Sequence, residues 1–66
     1  MKIILNGETS DWPDGVMLAD LVALQAPPDR RVAVLHNGQV VSADRRSSVH
    51  LAPDDRVELV TLAPGG

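Results

Sequence analysis

Arg31-Val32-Ala33-Val34-Leu35-His36-Asn37-Gly38-Gln39-Val40-Val41 decides the fold. Val32 to Leu35 are β-branched or aliphatic in an unbroken run, which favours an extended chain. Asn37-Gly38 ends the run with the residue pair that best tolerates positive φ at both central positions of a two-residue hairpin. Gln39-Val40-Val41 then reads as the returning strand. If Val32 and Val34 face a core, Ala33 and Leu35 face the other way, because successive strand residues point to opposite faces.

The same grammar precedes it. Lys2-Ile3-Ile4-Leu5 is a short apolar strand, Asn6-Gly7 is a second hairpin signal, and Glu8 to Trp12 reads as a polar edge strand. Trp12, the one aromatic residue, is expected to cover an end of the core. Pro13-Asp14-Gly15 is turn chemistry. Between the hairpins, Val16 to Gln25 is the one helical segment, with Met17, Leu21 and Leu24 at i, i+4 and i+7 and Leu18 and Val22 widening the stripe. Asp14 is the nearest available cap. Ala26 should end the helix, because Pro27 disfavours the helical conformation in the residue before it.

Downstream, Ser42 to Ser47 can form a single helical turn capped by Ser42, Val49 to Leu51 is a short extended piece, and Pro53-Asp54-Asp55 is a turn. Arg56 to Leu62 is the last strand. With Val57 and Leu59 on the helix side, Glu58, Val60 and Leu62 face outward. Leu35, Glu58, Val60 and Leu62 are therefore the candidate partner-binding residues. The order is hairpin, helix, hairpin, strand. One helix must bury its stripe on one face of a sheet, which makes an α+β two-layer domain. The division is a folded domain over 1–62 and a C-terminal tail, Ala63-Pro64-Gly65-Gly66. Two glycines after an apolar strand add no packing. Without Cβ atoms they make a thin arm that can enter a narrow channel and leave its terminal carboxylate sterically open. Fully extended, the tail reaches roughly 13 Å past the strand.

Composition excludes several classes. The chain has 66 residues, no cysteine and a formal net charge of -3. It is one domain with no disulfide, thiolate metal site or cysteine nucleophile. His36 and His50 alone do not make a zinc site, and neither stands at a recognisable spacing from a nucleophile. The acidic balance and single aromatic argue against nucleic-acid binding. The N-terminus lacks the pattern of a signal peptide and no apolar run is long enough to span a bilayer, so a cytoplasmic, non-membrane location is expected.

Taken together, Val32 to Val41, Asp55-Arg56-Val57-Glu58-Leu59-Val60 and the terminal Gly65-Gly66 resemble the ThiS family, the sulfur carriers of thiazole and thiamine biosynthesis. The resemblance covers nearly the whole chain. It implies a ubiquitin-like β-grasp fold, a mixed sheet of four to five strands on one helix, in a protein that is monomeric when free. It implies no catalysis by the chain itself and no bound cofactor. A ThiF-type adenylyltransferase would use ATP to adenylate the Gly66 carboxylate, and a persulfide donor would convert it to a thiocarboxylate. A ThiG-type thiazole synthase would then take the sulfur. Leu35 and Val60 would match the outer-face apolar positions that ubiquitin-like proteins present to activating enzymes. The chain departs from the family pattern at three positions. Met17 stands where a threonine often caps the helix, Asp54 replaces the glycine of a Gly-Asp turn, and Pro64 stiffens the tail and removes an amide donor.

Two other readings fit the same residues. One is a sulfur carrier of another pathway, molybdopterin synthesis or amino-acid sulfuration, which shares the fold and the tail. The other is a non-covalent β-grasp interaction module in which Gly65-Gly66 is incidental. A module would lose its partner when Leu35 or Val60 is changed and be indifferent to loss of the glycines, whereas a carrier would be sensitive to both.

Overall fold

The computed structural model describes residues 1–62. Five strands form one mixed sheet: β1 (Lys2–Leu5), β2 (Glu8–Asp11), β3 (Val32–His36), β4 (Gln39–Val40) and β5 (Arg56–Thr61). Their spatial order is β2-β1-β5-β3-β4, with β1 and β5 parallel and the other pairs antiparallel. The helix α1 (Leu18–Gln25) covers one face, and a 3₁₀ helix spans Ala43–Ser48. This is the β-grasp arrangement. The tail residues 63–66 lie outside the described residues.

Both hairpins turn where the Asn-Gly pairs stand. Asn6 and Asn37 take φ of 49° and 50°, and Gly7 and Gly38 take 83° and 84°, so all four central positions are left-handed. The two asparagines also do something that their turn propensity does not announce. The side-chain oxygen of Asn6 accepts a hydrogen bond from the Leu59 amide at 2.8 Å, and that of Asn37 accepts one from the Arg56 amide at 2.8 Å. Each hairpin tip is thereby stitched to the central strand β5.

The core lies between α1 and the inner sheet face. Ile3, Leu18, Leu21, Val34 and Val57 are fully buried, with Trp12, Val22 and Leu51 around them. Trp12 closes the core as expected, and its indole nitrogen donates to Ser10 Oγ at 2.8 Å. The helix is two residues shorter than its sequence pattern and is rotated from it. Its buried stripe is Leu18, Leu21 and Val22, while Leu24 is 74% exposed. Leu24 sits about 100° around the helix from the middle of that stripe, on a line shared with Met17 rather than with Leu18. Ala26 ends the helix in an extended conformation (φ -77°, ψ 140°), as the following proline requires.

Asp14 does not cap the helix. Met17 holds the N-cap position with no side-chain hydrogen bond, while the Asp14 carboxylate lies 3.2 Å from the Met1 amino group. Three residues separate Asp14 from the first helical residue, too far for its oxygen to meet the first-turn amides. Ser42 holds the N-cap position of the 3₁₀ helix but likewise makes no side-chain bond. Met17→Thr supplies the missing acceptor, with Asp20 already in the first turn, and should stabilise the domain by about 1 kcal/mol. Urea unfolding checks this: the midpoint should rise with an unchanged slope.

Asp54 keeps the turn that a glycine usually makes. Its φ is 69° and its amide donates to the Lys2 carbonyl at 2.7 Å. Aspartate is among the few residues that visit this region routinely, so the left-handed turn survives the replacement.

Candidate functional site

Alternation and register assemble a surface on the sheet face opposite α1. Leu35 pairs with Glu58 and Ala33 with Val60 across β3 and β5, and Leu35 pairs with Val40 across β3 and β4. Cross-strand partners share a face, so Ala33, Leu35, Val40 and Val60 form one contiguous apolar patch with Glu58 beside it. Val60 is 47% exposed and Val40 75%, while Ala33 and Leu35 are half-buried. The sequence pattern placed Leu35, Glu58 and Val60 here. It missed Val40, whose membership depends on β4 lying against β3 and not elsewhere.

Leu62 follows β5 and is 42% exposed. Its amide donates to the Arg31 carbonyl at 2.9 Å, and it does not join the outer-face patch expected of it: it lies one residue past the end of β5, where strand alternation no longer sets the face, and lines a groove under the C-terminal end of α1. It marks the root of the tail. The tail residues expected to carry the chemistry, Ala63, Pro64, Gly65 and Gly66, fall outside the described residues. Their root is the middle strand of the sheet: β5 has β1 on one side and β3 on the other, and Val57 at its base is fully buried. A tail carried by this strand starts from a backbone that β3 pairs with as far as Thr61.

At the other end of β5, His36, Asn37 and Asp55 form a clasp. His36 Nε2 lies 2.8 Å from Asp55 Oδ2, Asn37 Nδ2 donates to Asp55 Oδ1 at 3.2 Å, and the Ala52 amide donates to Oδ2 at 2.9 Å. Burial pushes the Asp55 carboxyl up, but the hydrogen bonds from His36, Ala52 and Asn37 outweigh it and hold the group below its ordinary value of 3.8. The clasp closes the turn onto β5 and contains no nucleophile. Among the described residues no three His, Cys, Asp or Glu side chains converge as a metal site would require.

The depressed Asp55 value carries a stability prediction with a definite sign. Between the folded value and 3.8 the unfolded chain binds the extra proton, so stability rises with pH across that window. The contribution is fully present above the ordinary carboxylate range and is lost as pH falls through the folded value. Asp55→Asn should be less stable at neutral pH and should show a shallower loss below about pH 4. Urea midpoints across an acid series measure this, and parallel curves for the two proteins would refute it.

The ThiS family model matches residues 3–66. The chain belongs to the ThiS family. The match runs through Gly65-Gly66, so the tail lies inside the ThiS pattern. The crystal structure of the thiamine biosynthesis protein ThiS from Geobacter metallireducens superposes with a TM-score of 0.85 at 25% identity, with all of both chains covered. An NMR solution structure of a thiamine biosynthesis protein from the same organism gives 0.77 at 26% identity, covering all of this chain and 88% of the other. A comparison with curated proteins yields no match. The β-grasp fold expected from the resemblance to ThiS is the fold observed. No helix among the described residues is long and apolar enough to cross a membrane.

Proposed function

We propose that this chain is a sulfur carrier of thiamine biosynthesis whose working group is the Gly66 carboxylate. The observation that carries the reading is the ThiS-family match extending to residue 66 on a domain whose central strand leads into the tail. A carboxylate resists nucleophiles because its charge repels them. Attack by its oxygen on the α-phosphorus of ATP, with loss of pyrophosphate, makes a mixed anhydride with AMP, whose carbonyl is a good electrophile. The terminal sulfur of a persulfide adds to that carbonyl and AMP leaves. A second thiol then cleaves the resulting disulfide and releases the thiocarboxylate. A ThiF-type adenylyltransferase supplies the first step, and a ThiG-type thiazole synthase is the acceptor.

The chain's own residues position and present in this scheme. Gly65 and Gly66 keep the reacting carbon uncrowded, Pro64 limits the directions that the arm samples, and Ala63 links it to β5. The patch of Ala33, Leu35, Val40 and Val60 offers an activating enzyme an apolar face with Glu58 at its edge. The test is the intact mass after incubation with ATP, a sulfur source and a ThiF-type enzyme. Exchange of one oxygen for sulfur, localised to the last peptide, is expected. An unchanged mass with an enzyme that loads another ThiS protein would overturn the reading.

A further inference from the structure

The groove at the root of the tail is separate from the apolar patch and has a different chemistry. It is an open depression of about 480 Å³. Val22, Ala26 and Leu62 line its apolar part, and Arg30, Arg31 and Arg46 stand along its polar part. No acidic side chain among the described residues lines it. Half of the chain's six basic residues thus border one groove on a protein of net charge -3. Among the described residues, none of the three takes part in an ion pair. Arg46 donates from Nη2 to the Val32 carbonyl at 3.1 Å, which fixes the guanidinium, yet its Nε is buried and has no acceptor. A buried donor without a partner carries a cost.

We propose that this groove receives an Asp or Glu side chain of the enzyme that grips the C-terminal tail; the choice of enzyme rests on the carrier reading above. Position argues for it, because Leu62 both lines the groove and leads into the tail. A protein that grips the tail must approach the domain at the end where Leu62 stands. Chemistry argues for a carboxylate, because planar guanidinium groups bind it through two parallel hydrogen bonds. The two surfaces then divide the work: the patch supplies apolar contact area, and the groove fixes the orientation of the enzyme relative to the tail.

The test is affinity for the ThiF-type adenylyltransferase across a salt series, comparing the parent chain with the double variant Arg30→Glu, Arg31→Glu. Both arginines are exposed, so the fold should be retained, and urea unfolding verifies this. Binding is expected to weaken about tenfold or more at low salt, with a flatter salt dependence. Equal affinity and equal salt slope would overturn the proposal. The Arg46 Nε–H resonance gives a second readout. Enzyme should shift it in the parent chain. A shift in the free protein on removing Gly65-Gly66 would mean that the chain's own terminal carboxylate occupies the groove, which also overturns the proposal. Sulfur loading at saturating enzyme is scored separately. Loss of binding in the double variant with no loading of either protein would sink the carrier reading and leave the groove assignment standing.

Discussion

Deleting Gly66, or adding one residue after it, is expected to abolish sulfur loading while leaving the fold unchanged. The two variants fail for different reasons. Without Gly66 the terminal carboxylate stands one residue short, a retreat of roughly 3.5 Å along an extended arm. Misplacing a reacting group by even ~1 Å can cost about a hundredfold in rate. With one residue added, the Gly66 carbonyl becomes an unreactive amide. The new carboxylate then sits one residue too far along, behind a Cβ if that residue is not glycine. Neither change touches Ile3, Leu18, Leu21, Val34 or Val57, the fully buried side chains, so the urea midpoint should not move. Intact mass after incubation with the activating enzyme and ATP reads the first effect and urea unfolding the second. Normal loading of the extended protein would remove Gly66 from the chemistry.

The fold was legible because its punctuation is local. Asn6-Gly7, Asn37-Gly38 and Pro27-Pro28 each act within two or three residues, so the hairpins and the helix end came out where the sequence placed them. Alternation gave the faces of β3 and β5 for the same reason. What stayed hidden depends on partners distant in the chain. Asn6 reads as a turn residue, and nothing nearby reveals that its side chain serves Leu59. Val40 reads as an ordinary strand residue until β4 is known to lie beside Leu35. The helix phase was misread at Leu24, because eight residues make barely two turns and several apolar lines fit equally well. The basic groove was the least legible feature. Arg30-Arg31 and Arg45-Arg46 read as solvated loop pairs, and only the packing of the 3₁₀ helix against α1 brings Arg46 to the same groove as Arg30 and Arg31.

Val57 and Val60, three residues apart on β5, should respond in opposite ways to the same substitution. Val57 is fully buried against α1, so Val57→Asp places an unpaired carboxylate in an aliphatic core. The cost is several kcal/mol, against a total stability of about 3–10 kcal/mol for a domain of this length. The protein should be largely unfolded at neutral pH. Val60 is 47% exposed and faces away from the helix, opposite Ala33. Val60→Asp loses some strand propensity, so the fold should survive with a cost of at most about 1 kcal/mol. Affinity for the activating enzyme should fall about tenfold or more if the patch docks it, because a charge must then be desolvated in the interface. Glu58 lies on the same face, and like-charge repulsion could mimic this result. Val60→Lys separates the two, since lysine would attract Glu58 yet still spoil an apolar contact. Loss of affinity in both variants, with urea midpoints near the parent's, identifies apolar docking. Loss in the aspartate variant alone would make the effect electrostatic, and unfolding of both would put Val60 in the core and invert the face assignment of β5.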